Sequence, residues 1–147
     1  MDYLHTQTKT KEWIMVHGNL HITNVLVTDE STALISGFGL CEIFGVPGDP
    51  AVARSEVPQT AHQAGLPDGD YVSLAPEAAL RTQARSVKSD VYSFGILMFE
   101  AGARPSRAEM GSEHTHVTDA LWELITTCWA QEPSARPRMD KVHVRLS

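Results

Sequence analysis

The residues best placed to do chemistry lie in VHGNLHITNVLV, Val16 to Val27, and in the nearby Gly37-Phe38-Gly39. Asn19 and Asn24 offer amide oxygens in the first stretch, with no carboxylate beside them. An amide can orient a group or lend a metal one neutral ligand, but it takes no proton at neutral pH. His17 and His21 lie four apart and His114 and His116 two apart, yet neither pair is joined by the Cys or acidic residues that complete a zinc set. No metal site is expected from them. Gly37-Phe38-Gly39 is too short to cradle a phosphate by itself. Cys128 falls on an apolar stripe, and neither it nor Cys41 reads as a nucleophile.

Composition narrows the function classes. The chain has 147 residues, 42% of them hydrophobic and 20% charged, the balance of one globular domain. Lys plus Arg number 12 against 18 Asp plus Glu, a net charge of −6. That charge repels nucleic acid and anionic lipid, and neither is an expected partner. Two widely spaced cysteines in an acidic chain read as free thiols. The opening MDYLHTQTKTKEWIMV has no apolar signal region, and no apolar run approaches the roughly 20 residues that span a bilayer. A soluble, cytoplasmic protein is expected.

The elements that must position Asn19, Asn24 and Gly37 can be read in order. VLV (Val25 to Val27) and the alternating TALIS (Thr32 to Ser36) flank Asp29-Glu30-Ser31 and predict a small β-hairpin. Its two ends would bring Asn24 and Gly37 to a common edge. From Gly45 to Asp70 the chain is rich in Pro, Gly, Ala, Ser and Gln without periodicity, which predicts a long exposed loop. Ser55, Thr60, Tyr71 and Ser73 are candidate phosphate acceptors in and beside it. Ser89-Asp90 reads as an N-cap and acidic first turn for VYSFGILMFE, whose apolar residues surround the helix and predict burial on every side. RPSRAEMGSEHTHV reads as loop. Thr118 then caps DALWELITTCWAQ, with Leu121, Leu124, Ile125 and Cys128 on one core-facing stripe and Pro133 as the stop. A short helix from Met139 to Leu146 ends a mainly α domain.

Taken in order, these segments resemble the C-terminal lobe of a eukaryotic protein kinase of the tyrosine-kinase-like Ser/Thr group, over almost all of residues 1–147. Tyr3 to His5 is similar to the end of the family's helix E, and HGNLHITN (His17 to Asn24) to its catalytic loop. SGFGL stands where Asp-Phe-Gly is expected, and Ala75-Pro76-Glu77 where the activation segment ends. Residues 45–72 are then activation-loop-like. SDVYSFGILMFE resembles helix F, and LWELITTCW with PSARP resembles helices H and I. The resemblance implies structural roles: Glu77 and Arg136 as a buried ion pair, Asp90 as the helix F acceptor for the catalytic-loop backbone, and Trp129 as a packed tryptophan.

It also implies which chemistry departs from the pattern. The family positions a carboxylate base and a carboxylate-bound Mg²⁺ around the transferring phosphate. Here the base position is Asn19 and the metal position is Gly37, with Asn24 alone retained. Gly18 replaces the arginine that reads a phosphorylated activation loop, and His21 replaces the lysine that contacts the phosphate. No catalytic residue is therefore expected intact, and no cofactor is expected, although active relatives use ATP and Mg²⁺. The resemblance places the start of the chain at the end of helix E and leaves no room for helix G, so a C-lobe with N-lobe and helix G missing is expected, short of apolar cover. Three functions follow as expectations. The first is an inactive pseudokinase that acts, if at all, by binding other proteins. The others are part of an active ATP-dependent Ser/Thr or Tyr kinase whose N-lobe lies outside this chain, and a non-functional gene remnant.

Overall fold

A computed structural model of the chain describes residues 5, 13–45, 73–80, 85–102 and 118–146. Their order is strand β1 (Trp13–Val16), a 3-10 turn at Ile22–Asn24, strands β2 (Val25–Val27) and β3 (Ala33–Ile35), a 3-10 turn at Phe38–Leu40, and strand β4 (Glu42–Gly45). Helices α1 (Pro76–Ala79), α2 (Val87–Gly102) and α3 (Asp119–Cys128) follow, then a 3-10 turn at Pro133–Ala135 and helix α4 (Met139–Leu146). The fold is mainly α with small β elements, as the sequence implied.

The expected hairpin is present as β2 and β3, paired Val25↔Ile35, Leu26↔Leu34 and Val27↔Ala33. A second antiparallel pair was not anticipated: β1 and β4 join as Ile14↔Phe44, Met15↔Ile43 and Val16↔Glu42. The partners are far apart in sequence, and no turn signal links them. Gly45 belongs to this pair and is not the start of a loop. Residues 46–72 and 104–117, read as loops, lie outside the described residues, and Ser55, Thr60, Tyr71, His114 and His116 lie with them.

Helix α2 is the centre of the molecule. Every residue from Ser89 to Glu100 is buried or half-buried, as an all-round apolar helix requires. It touches β1, the turn at 22–24, α3 and the turn at 133–135. Its cap differs from the expected one. The helix starts at Val87, and Ser86 and Ser89 cap it reciprocally: the Ser89 amide donates to Ser86 Oγ at 3.2 Å and the Ser86 amide to Ser89 Oγ at 2.8 Å. Ser86-x-x-Ser89 is thus a capping-box arrangement in which Ser89 is the third helical residue.

Helix α3 begins as expected, with Thr118 Oγ1 accepting from the Leu121 amide at 3.2 Å. Leu124, Ile125 and Cys128 are buried on its inner stripe, and burial pushes the Cys128 thiol up to about 11. Leu124 and Cys128 join Val91, Met139 and Val142 in the core, with Phe94 and Met98 packed against it. Gly95 permits this approach, since a Cβ there would stand 2.8 Å from the Cys128 Cβ. Phe99, Trp122 and Trp129 form an aromatic cluster, with Trp129 at 5.3 Å from Phe99 and 5.8 Å from Trp122, both edge-to-face. The helix stops at Cys128, short of the expected Gln131.

The helix tightens at its end, where the Ala130 amide turns to the Thr127 carbonyl. The Ala130 and Gln131 carbonyls that follow accept from Arg136 Nε at 2.8 Å and Nη2 at 3.1 Å. Arg136 also grips Glu77 with both arms, Nη1 to Oε1 at 2.6 Å and Nη2 to Oε2 at 2.9 Å, and Nη1 reaches the Lys88 carbonyl at 3.0 Å. All five guanidinium hydrogens are thereby used. Its plane also lies over the Tyr92 ring, 4.9 Å from the centroid. Lys88 donates to the Arg136 carbonyl in return. Arg136 is 1% exposed and Glu77 8%, so one residue joins α1, α2, and the ends of α3 and the turn at 133–135.

Burial raises the Glu77 pKa, but the Arg136 hydrogen bonds, its own backbone contact and the Arg136 charge together hold it below the ordinary 4.5. A carboxyl with a depressed folded pKa stabilises fully above its unfolded value, and that stability is lost as pH falls through the folded value. Denaturant unfolding across acid pH is expected to show a decline below about pH 4.5 that flattens in Glu77→Gln. Arg136→Ala is expected to lower stability at neutral pH by about 3–5 kcal/mol, because it leaves a buried carboxylate without its partner.

Candidate functional site

Strand β1 delivers the chain directly into the loop at His17. Val16 and Leu20, each 1% exposed, seat that loop on the core, and Asp90 of α2 holds its backbone. The Asp90 carboxylate, itself 1% exposed, accepts the His17 amide at 2.7 Å on Oδ2 and the Gly18 amide at 2.9 Å on Oδ1. His5 Nε2 meets Oδ2 at 3.0 Å. Gly18 turns here with φ +73°, a conformation glycine adopts without strain.

His17 is fully buried and both ring nitrogens are engaged. Nδ1 accepts the Asn19 amide at 3.2 Å, and Nε2 lies 2.8 Å from the Ser36 carbonyl, which needs a donor. These partners assign the neutral Nε2–H tautomer and leave no lone pair for a metal. The ring also meets Phe38 edge-on at 4.8 Å, tying the turn at 38–40 to the loop. His21 caps the turn at 22–24, its Nδ1 accepting from the Thr23 amide. No group of three or more His, Cys, Asp or Glu side chains that could hold a metal occurs among the described residues. Cys41 and Cys128 are both free.

The hairpin brings Asn24 and Gly37 into contact. Asn24 Nδ2 donates to the Asn19 carbonyl at 2.8 Å, while the Ser36 amide and Ser36 Oγ donate to the Asn24 carbonyl at 2.8 and 3.1 Å. A Cβ at Gly37 would lie 2.4 Å from Asn24 Cγ and Oδ1. The Asn24 amide therefore fills the space in which a side chain at position 37 would begin. Gly37 also has φ +78°. Asn19 Oδ1 is buried with no hydrogen-bond partner among the described residues. The resulting cluster has three neutral amide or glycine positions and no carboxylate.

The remaining sequence candidates lie elsewhere. Ser73, expected as an exposed acceptor, is 2% exposed at the foot of α1. A cavity of about 320 Å³ lies between β1, the start of α2 and the start of α4, lined by His5, Ile14, Lys88 and Met139 among others. None of Asn19, Asn24 or Gly37 lines it. Sequence reasoning missed Arg85, whose Cδ crowds the position of an absent Gly18 Cβ at 2.7 Å. No local pattern could have placed it there.

The family model for protein tyrosine and serine/threonine kinases matches residues 1–146. Cysteine-rich receptor-like protein kinase 6 of Oryza sativa subsp. japonica is 29% identical over 157 residues, covering 99% of this chain and 20% of that protein. Tyrosine-protein kinase FRK of Homo sapiens is 27% identical over 147 residues, 89% of this chain and 27% of that protein. Receptor-interacting serine/threonine-protein kinase 3 of Homo sapiens is 31% identical over 166 residues, 96% of this chain and 29% of that protein. The chain thus spans less than a third of the length of each.

Gly37→Ala is expected to lower stability by about 1–3 kcal/mol, through left-handed backbone strain and displacement of Asn24. Gly39→Ala, where a Cβ meets nothing within 4 Å, is expected to change stability by less than about 0.5 kcal/mol. Denaturant unfolding of the two variants side by side checks the difference. Asp90→Asn is expected to lower stability by about 1.5–3 kcal/mol, since one amide oxygen cannot serve both buried N–H groups.

Proposed function

The chain belongs to the protein tyrosine and serine/threonine kinase family, and from that premise we propose that it is a non-catalytic member, a kinase-like domain that works by binding other proteins. One observation carries the reading. The Asn24 amide occupies the space that a side chain at Gly37 would need, so the loop is packed around the absence of a carboxylate at that position.

The chemistry of phosphoryl transfer gives this its weight. The reaction depends on positioning and on neutralising charge, with a carboxylate to take the hydroxyl proton and carboxylate-held Mg²⁺ on the phosphates. Mg²⁺ is a hard cation that favours charged oxygen ligands. The residues here do not fit Mg-ATP: Asn24 supplies a neutral oxygen, its Nδ2 is committed to the Asn19 carbonyl, and Asn19 has no proton-accepting group. No transfer step can be derived through this set. His21, engaged with Thr23, is not a fixed cation for a phosphate.

A binding role draws on the surface next to the loop. Leu26, Val27 and Leu34 of the hairpin are 55%, 70% and 48% exposed, and Ile43 of β4 is 52% exposed. Apolar surface of this kind is covered in a working assembly, by another protein or by further residues of a longer chain. Both cysteines are free, which suits a reducing compartment such as the cytoplasm. Among the described residues no helix is long and apolar enough to cross a membrane.

Thermal unfolding followed by near-ultraviolet circular dichroism, with and without Mg-ATP, tests the reading. A single cooperative transition is expected, with a midpoint that nucleotide leaves unchanged, because a ligand raises the midpoint only by binding the folded state better than the unfolded one. A rise with Mg-ATP overturns the proposal, and so does phosphorylation of a generic protein substrate abolished by Asn24→Ala.

A further inference from the structure

The room left by Gly18 is occupied. A Cβ at position 18 would lie 2.7 Å from Arg85 Cδ and 2.8 Å from the Leu40 carbonyl oxygen. A side chain at 18 and Arg85 in its observed place therefore exclude each other. Arg85 comes from the residue just ahead of the Ser86 cap of α2, lies against the loop, and extends to Glu42 at the head of β4. Its Nη1 stands 3.6 Å from Glu42 Oε1, with the two side chains 14% and 3% exposed.

Two features separate this contact from an ordinary surface pair. Glu42 is buried, so its charge has little water to stabilise it and depends on a nearby cation. Among the described residues that cation is Arg85. The contact is also open: neither oxygen of Glu42 nor Nη1 of Arg85 has a hydrogen-bond partner among them. At 3.6 Å the guanidinium fork is not closed on the carboxylate as it is at Glu77, so hydrogen-bonding capacity for an oxyanion remains unused. Glu42 lies opposite Val16 in the β1–β4 pair, one residue before the loop held by Asp90. The charge pair thus bears on the same backbone as the Asp90 hydrogen bonds.

Gly18 carries no side chain, and the guanidinium beside it comes from Arg85. We propose that Arg85 and Glu42 form a self-filled anion site, in which Arg85 is the anion reader and the Glu42 carboxylate is its built-in anion. β4 is held against the loop by a carboxylate of the chain itself, without a phosphate group. A tetrahedral oxyanion such as a phosphate monoester is the ligand class the site takes once the Glu42 charge is removed. The inference stands apart from the loss of catalysis, because neither residue belongs to the Asn19, Asn24 and Gly37 cluster.

The test is thermal unfolding of the 147-residue chain in inorganic phosphate and in chloride at matched ionic strength. The wild type is expected to show the same midpoint in both. Glu42→Ala is expected to be destabilised in chloride and to regain roughly 3 °C or more in phosphate. Glu42→Ala/Arg85→Ala should gain nothing from phosphate, and the losses of the two single variants should not add in the double. Glu42→Gln removes the charge with little change of shape and serves the same comparison should Glu42→Ala fail to fold. The proposal is overturned if phosphate stabilises the wild type as much as the Glu42 variants, if it stabilises neither Glu42 variant, or if the gain survives Arg85→Ala.

Discussion

The structure depends on the buried carboxylate of Asp90. A loop carrying polar side chains cannot enter a core unless its backbone N–H groups find acceptors, because an unpaired buried amide is costly. Asp90 provides two acceptors on one rigid helix, for His17 and Gly18. Its position in the first turn of α2 suits its charge, since that end of a helix stabilises an anion. The Ser86 and Ser89 cap fixes where the helix begins and hence where Asp90 points. The all-round burial of α2 follows, because a helix that anchors a loop on one face and α3 on another keeps no face for solvent.

Arg136 does for the C-terminal part what Asp90 does for the loop. It is a buried charge with every donor satisfied, and it gathers Glu77, the Lys88 carbonyl and the carbonyls after α3. A buried ion pair often contributes little against an apolar alternative. The value of this one lies in specificity, since five directional hydrogen bonds permit one arrangement of four segments. Asp90 and Arg136 act on backbone and on segment ends, and neither places a side chain in the Asn19, Asn24 and Gly37 cluster.

How much of this was legible in the sequence depended on how local the cause was. The hairpin of β2 and β3, the Thr118 cap and the inner stripe of α3 follow from patterns a few residues long. Ser86-x-x-Ser89 was equally local, yet the more conspicuous Ser89-Asp90 pair drew the cap three residues too far along. The β1–β4 pairing was illegible because its strands have no connecting turn and little alternation. The end of α3 at Cys128 is illegible because no residue pattern short of Pro133 marks it. Asn19, Gly37 and Asn24 were singled out by type and by resemblance, but the filling of the Gly37 space by Asn24 is a matter of side-chain position that no spacing encodes.

Gly18 and Gly37 follow one physical rule. Each has a left-handed backbone, with φ of +73° and +78°, and each is crowded by a side chain from elsewhere, Arg85 in one case and Asn24 in the other. Interiors are close-packed, so space without a side chain at one position is taken by a neighbour. Once it is taken, a larger residue at that glycine meets both backbone strain and an occupied site. Placing a larger side chain at either glycine thus requires that the neighbour move as well. The local packing around both glycines holds this loop in a form that supports the fold.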